Sequence, residues 1–157
     1  MNQCLNAGLR LTNSEERAEI TKTALYYTQN LAEEDLAVLG FDQWLSALER
    51  GIAAHHAGLL PSFKEAIEDL FKRGYIKAVF ATETLALGIN MPARTVVLEK
   101  LTKWNGEAHV PITPGEYTQL TGRAGRRGID IEGNAVVQWS PSVFFFQAED
   151  GIRDSFR

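Results

Sequence analysis

From Gly51 onward the chain alternates short apolar runs with helix-forming stretches, and this alternation restricts the fold more than any other feature. Residues 52–55 are a short apolar run. Gly58-Leu59-Leu60-Pro61 then turns into a helix with proline at or near its first turn and Phe63, Ile67, Leu70 and Phe71 on one face. Lys72-Arg73-Gly74 closes it. Residues 76–81 (Ile-Lys-Ala-Val-Phe-Ala) read as a buried strand, 82–87 as a turn and short helix, and 94–99 as a valine-rich strand. A polar excursion over 100–112 contains Trp104-Asn105-Gly106, the turn residues of a hairpin or loop, and residues 134–139 form a last strand. Strand and helix in alternation imply an α/β fold with a parallel sheet covered by helices on both faces. Ligands of such sheets bind at the carboxyl ends of the strands, and the two candidate motifs, at 81–93 and 119–128, are expected there.

Upstream of Gly51 the pattern is helical. Residues 1–12 read as the tail of a helix. Asn13-Ser14 followed by Glu15 and Glu16 is a helix start, and Ala18, Ile20, Thr21, Ala24, Leu25, Thr28 and Leu31 give a rough helical stripe. Residues 33–48 carry Leu36, Leu39, Leu45 and Leu48 with Phe41 and Trp44, and Gly40 or Gly51 is the expected break or end. These aromatic and leucine side chains are expected to serve packing rather than ligands.

A length of 157 residues, 45% hydrophobic and 10% aromatic, suits one soluble domain with a proper core. No apolar run reaches membrane-spanning length and no leader is recognisable, so the expected location is cytoplasmic. Cys4 is the only cysteine, which excludes an internal disulfide and a cysteine-based zinc cluster. A formal net charge of −4 argues against a wholly basic nucleic-acid coat but not against a local basic groove.

Such a cluster lies at residues 119–128, Gln-Leu-Thr-Gly-Arg-Ala-Gly-Arg-Arg-Gly. Arg123, Arg126 and Arg127 alternate with Gly122, Gly125 and Gly128, so rigid cationic forks sit where the backbone can bend and approach a ligand. A second reading is purely structural. Thr113-Pro114-Gly115-Glu116 has an N-cap, a proline at the first helical position and a capping-box glutamate, and arginines in a last turn would offset the helix dipole. Residues 81–93 form the other candidate: Thr82 and Thr84 supply hydroxyls and backbone amides after a strand, and Gly88 permits close approach to a phosphate chain. A threonine cap and a glycine helix stop would have the same sequence. His55 and His56 are neighbours on a strand and point to opposite faces, which argues against joint ligation of a metal.

Gln-x-x-Gly-Arg-x-Gly-Arg at 119–126 resembles the sixth motif of superfamily-two helicases, and residues 81–93 resemble, without a gap, the fifth motif in its superkiller-like form. Ala54-His55-His56-Ala57-Gly58-Leu59, Lys103-Trp104-Asn105-Gly106 and Gly115-Glu116-Tyr117 resemble further elements of that family in order and spacing. The chain is thereby identified as a member of the superkiller-like DExH branch of ATP-dependent RNA helicases, nearest the actinomycete-type members. The resemblance implies a RecA-like domain. It also implies that Arg123 and Arg126 approach the triphosphate of ATP, Arg126 as arginine finger, with Gln119 and Asn90 at the nucleotide cleft. Thr82, Thr84, Gly88, His56 and Gly58 would face single-stranded nucleic acid, with RNA favoured by family likeness alone. Neither a Gly-x-x-x-x-Gly-Lys-Ser/Thr loop nor an Asp-Glu-x-His run occurs, so Mg2+ and the β- and γ-phosphates are expected to be held mainly by a first RecA-like domain outside this sequence. Residues 1–140 are thus expected to be most of a second RecA-like domain, inactive alone. The rival is a non-catalytic nucleic-acid-binding or scaffold module of the same fold. Residues 141–157, with Phe144-Phe145-Phe146, resemble a translated sequencing-adapter tail and are expected to be foreign to the fold.

Overall fold

The computed structural model describes residues 1–82 and 91–138. The short helix expected after Thr82, the end of the last expected strand and the tail at 141–157 lie outside the described residues. The chain divides into two compact units, Met1–Met91 and Pro92–Arg157.

The first unit opens with α1 (Asn2–Asn6) and α2 (Ser14–Thr28). Asn13 starts α2 as expected: its side chain accepts from the Glu16 amide, and the Glu16 carboxylate accepts from the Asn13 amide, each at 2.9 Å. The leucine-rich stretch is broken at Gly40, whose φ of 69° separates α3 (Glu33–Val38) from α4 (Phe41–Leu48). After β1 (Ile52–His55) come α5 (Pro61–Lys72) and β2 (Ala78–Ala81). The two strands are parallel, with Ile52 opposite Ala78 and His55 opposite Ala81. Gly51 sets this pair up: its carbonyl accepts from the amides of both Lys77 and Ala78, and its φ of 77° suits glycine.

Ile20 and Ala24 of α2, Leu48 of α4, Ala53 of β1, and Ile67 and Leu70 of α5 form the core with Ile76 and Met91. The buried positions of α5, Phe63, Ala66, Ile67 and Leu70, follow its helical period. On α2 the buried stripe is narrower than expected. Ile20, Thr23, Ala24 and Thr28 are buried, whereas Leu25 is exposed. Trp44 stacks on Phe63 with ring centroids 4.2 Å apart, joining α4 to α5. Arg73, just past α5, donates to Thr23 and pairs with Glu19 of α2, each at 3.0 Å.

The second unit contains β3 (Thr95–Leu98), a hairpin of β4 (Thr102–Trp104) and β5 (His109–Pro111), α6 (Pro114–Thr121) and β6 (Asn134–Val137). β3 and β6 are parallel, with Thr95 opposite Asn134 and Leu98 opposite Val137. The hairpin is antiparallel, and its turn is built as Trp104-Asn105-Gly106 suggested: Asn105 Oδ1 accepts from the amides of Glu107 and Ala108. Both strand pairs that bracket helices are parallel, the pairing expected of an α/β fold.

Candidate functional site

Helix α6 positions the arginine cluster. Thr113 accepts from the Glu116 amide and Pro114 occupies the first turn, so the helix starts where the sequence indicates. It ends at Thr121, before the first arginine. Arg123, Arg126 and Arg127 therefore lie past the helix and not in its last turn, which removes the dipole-closing reading. Glu116 has a second task. Its Oε2 accepts from the Thr113 amide at 2.8 Å, and its Oε1 accepts from Lys103 Nζ on β4, tying the hairpin to α6. That lysine, with the Thr113 amide, lowers the Glu116 carboxyl to about 2.

The arginine loop is clamped by backbone bonds to Ala93. The Ala93 amide donates to the Arg123 carbonyl at 3.0 Å, and the Gly125 amide donates to the Ala93 carbonyl at 2.8 Å. Ala93 is the last residue of the 81–93 segment, and these bonds fix the arginine loop against it. Gly125 has a φ of 87°, and a methyl group added there would stand 3.2 Å from Gly133 Cα. One added at Gly133 would run into the backbone of Ala124 and Gly125, well inside van der Waals contact. Two glycines are thus needed where the loop crosses the approach to β6.

This placement corrects one expectation. The loop lies beside Ala93 and leads into Asn134, whose amide donates to the Arg94 carbonyl, so it stands at the amino ends of β3 and β6. It follows a helix and feeds a parallel strand, and chain direction then dictates that end. The carboxyl-end rule describes connections that leave strands.

Arg126 is held in a bidentate pair. Nε donates to Asp130 Oδ2 at 2.8 Å and Nη2 to Asp130 Oδ1 at 2.7 Å, and the Arg126 amide also donates to Oδ2. The guanidinium is chiefly responsible for lowering the Asp130 carboxyl to about 2, and Asp130 in turn raises Arg126. Arg123 is half-buried, while Arg127 and Gln119 are exposed.

In the first unit, His56, Gly58 and Thr82 gather at the carboxyl end of the β1–β2 pair. The Thr82 amide donates to the His55 carbonyl at 3.3 Å, and Gly58 lies beside the His56 ring. His56 and Thr82 are exposed. The two histidines do separate: His55 is buried with Nε2 3.3 Å from Glu68 Oε1, a packing role. Thr84, Gly88 and Asn90 lie outside the described residues. Sequence reasoning missed Asp130 and Gly133. The only local signal for Asp130 was an acid four residues after an arginine, and Gly133 had none.

The family model for the helicase conserved C-terminal domain matches residues 7–138. The chain belongs to this family, a RecA-like α/β domain. It is 67% identical over 140 residues to the probable helicase HelY of Mycobacterium leprae, an alignment covering 89% of this chain and 15% of that protein. It is 48% identical over 126 residues to the DExH-box ATP-dependent RNA helicase DExH10 of Arabidopsis thaliana, covering 80% of this chain and 13% of that protein. Against the antiviral helicase SKI2 of Saccharomyces cerevisiae, identity is 45% over 130 residues, covering 83% and 10% respectively. The chain therefore spans a small part of each relative's length. These relatives agree with the superkiller-like DExH resemblance. Among the described residues no helix is long and apolar enough to cross a membrane.

Proposed function

We propose that residues 1–140 are the second RecA-like half of a cytoplasmic ATP-dependent helicase that moves along and unwinds RNA. In this reading the domain contributes the arginine side of the ATP site and one side of the single-strand groove. The observation that carries it is the pair of main-chain bonds from Ala93, the last residue of one motif, to Arg123 and Gly125 of the other. Arg126, with one edge of its fork bound by Asp130 and the side chain still 39% exposed, fits a phosphoryl group across a domain cleft. ATP supplies the phosphoanhydride bond whose hydrolysis drives the cycle. Arg126 would stabilise charge on the outer phosphate oxygens, assisted by Arg123, with Gln119 and Asn90 lining the cleft. Mg2+ and the phosphate loop would belong to the first RecA-like domain. His56, Gly58, Thr82, Thr84 and Gly88 would contact the nucleic-acid backbone, which suits movement without base preference. RNA is favoured over DNA by the Arabidopsis relative, named as an RNA helicase. Nucleotide-dependent closure of the two domains would alternate tight and loose strand binding.

The test uses a polypeptide joining this domain to its phosphate-loop partner. ATP hydrolysis should rise with single-stranded RNA and be accompanied by displacement of a paired strand. Hydrolysis indifferent to nucleic acid, or RNA binding with no hydrolysis, would reject the reading, the latter in favour of a scaffold module.

A further inference from the structure

A guanidinium carries five N–H donors, and Asp130 engages two of them, the Nε–H and one on Nη2. Three remain: one on Nη2 and one on Nη1 share the Nη1–Nη2 edge, and the third, also on Nη1, faces back toward Cδ. Asp130 is itself fixed at both ends: its carboxylate accepts from the Arg126 amide, and its own amide donates to the Arg126 carbonyl at 2.9 Å. Its side chain is only 7% exposed against 39% for Arg126, so the acid forms the inner wall and the arginine tip the outer surface. We propose that Asp130 is a positioning residue, whose carboxylate grips the inner edge of Arg126 and presents the Nη1–Nη2 edge as a preformed two-donor fork for phosphate oxygens. An unpaired arginine at this place would have to order several torsions at each turnover. Here that ordering is built into the loop. The inference rests on Arg126 acting at the phosphate, as in the proposed function.

A double-mutant cycle on the joined polypeptide separates the two ideas. Asp130→Asn keeps the shape but offers one acceptor oxygen in place of two. It should lower turnover at saturating ATP by about 10–100-fold, as misplacement of a reacting group does, with KM for ATP little changed. Adding Asp130→Asn to Arg126→Ala should cost nothing further, because the acid acts only through the arginine. Losses that multiply in the double variant, or normal turnover of Asp130→Asn, would overturn the positioning role and leave the arginine's role intact. Normal turnover of Arg126→Ala would reject both. The unmutated chain gives a readout independent of turnover and of how the variants fold. The Arg126 Nε–H resonance should exchange with solvent at least about tenfold more slowly than that of exposed Arg127, and equal exchange would overturn the proposal.

Discussion

In the first unit Ile20, Leu48, Ile52, Ile67 and Leu70 have no solvent exposure, whereas the buried apolar side chains among the described residues of the second unit are Leu98 and Ile112, at 9% and 7%. Both units carry ion pairs, but in the second they are set against far less described apolar burial. Lys103 meets Glu116, Arg126 forks onto Asp130, and Ala93 is bonded on both sides to the arginine loop. Both units start a helix with the same device, a capping box, so the contrast lies in the contacts made beyond the cap. Packed helices tolerate changes of surface charge and resist changes of volume. A loop held by forks and main-chain bonds should behave the other way. The part that carries the proposed phosphate chemistry is built for placing donors, whereas the first unit sets its proposed strand contacts on a packed core.

Three changes probe this contrast. Leu70→Ala should have the largest stability effect, about 2–5 kcal/mol, through lost burial and a cavity in the core it shares with Ile67 and Ala24. A loss below about 1 kcal/mol in a denaturant titration would mean that the first unit is no better packed than the second. Gly133→Ala should come next, at about 1–3 kcal/mol, because the new methyl meets backbone and not a flexible side-chain end. It should also displace the Arg126 resonances, and an unshifted spectrum would show that the close approach does not hold the loop.

Acid should have a smaller, graded effect. Glu116 and Asp130 are held at about 2, below ordinary values of 4.5 and 3.8. Their stabilising contribution is therefore fully present above those ordinary values and is lost as pH falls toward 2. The first unit also has a lowered acid, Glu16, paired chiefly with Lys77, but its apolar core does not titrate. Amide exchange tracked residue by residue between pH 5 and 2 should open the Lys103–Glu116 and Arg126–Asp130 contacts before the α2–α5 core. The reverse order would contradict the contrast.

The features legible in the sequence were mostly local. Asn13 with Glu16, Thr113 with Pro114 and Glu116, and Trp104-Asn105-Gly106 each contain their own hydrogen-bond partners within a few residues, and the helices and hairpin begin or turn there. The apolar period of α5 and the parallel pairing were legible for a similar reason, since burial and crossover connections leave a repeating pattern. The arginine motif was legible through its resemblance. Its position at the amino ends of β3 and β6 was not, because that depends on Ala93 meeting residues about thirty positions away. Gly133 was silent for the same reason: its requirement comes from a neighbour, Gly125, reached only after the loop folds back. Asp130 sits close to Arg126 in sequence, but an acid after an arginine is common on exposed loops, and only the bidentate geometry distinguishes it.

The most direct test compares Arg126→Ala with Arg127→Ala in the joined polypeptide, measuring turnover and melting on the same samples. An arginine acting on the transferring phosphoryl group is worth about 10³–10⁵ in rate, roughly 4–7 kcal/mol at the transition state. Arg126→Ala should show a loss of that order with the domain still folded, Arg126→Lys should recover little of it, and Arg127→Ala should stay near normal. Equal, small effects on turnover at positions 126 and 127 would contradict the account.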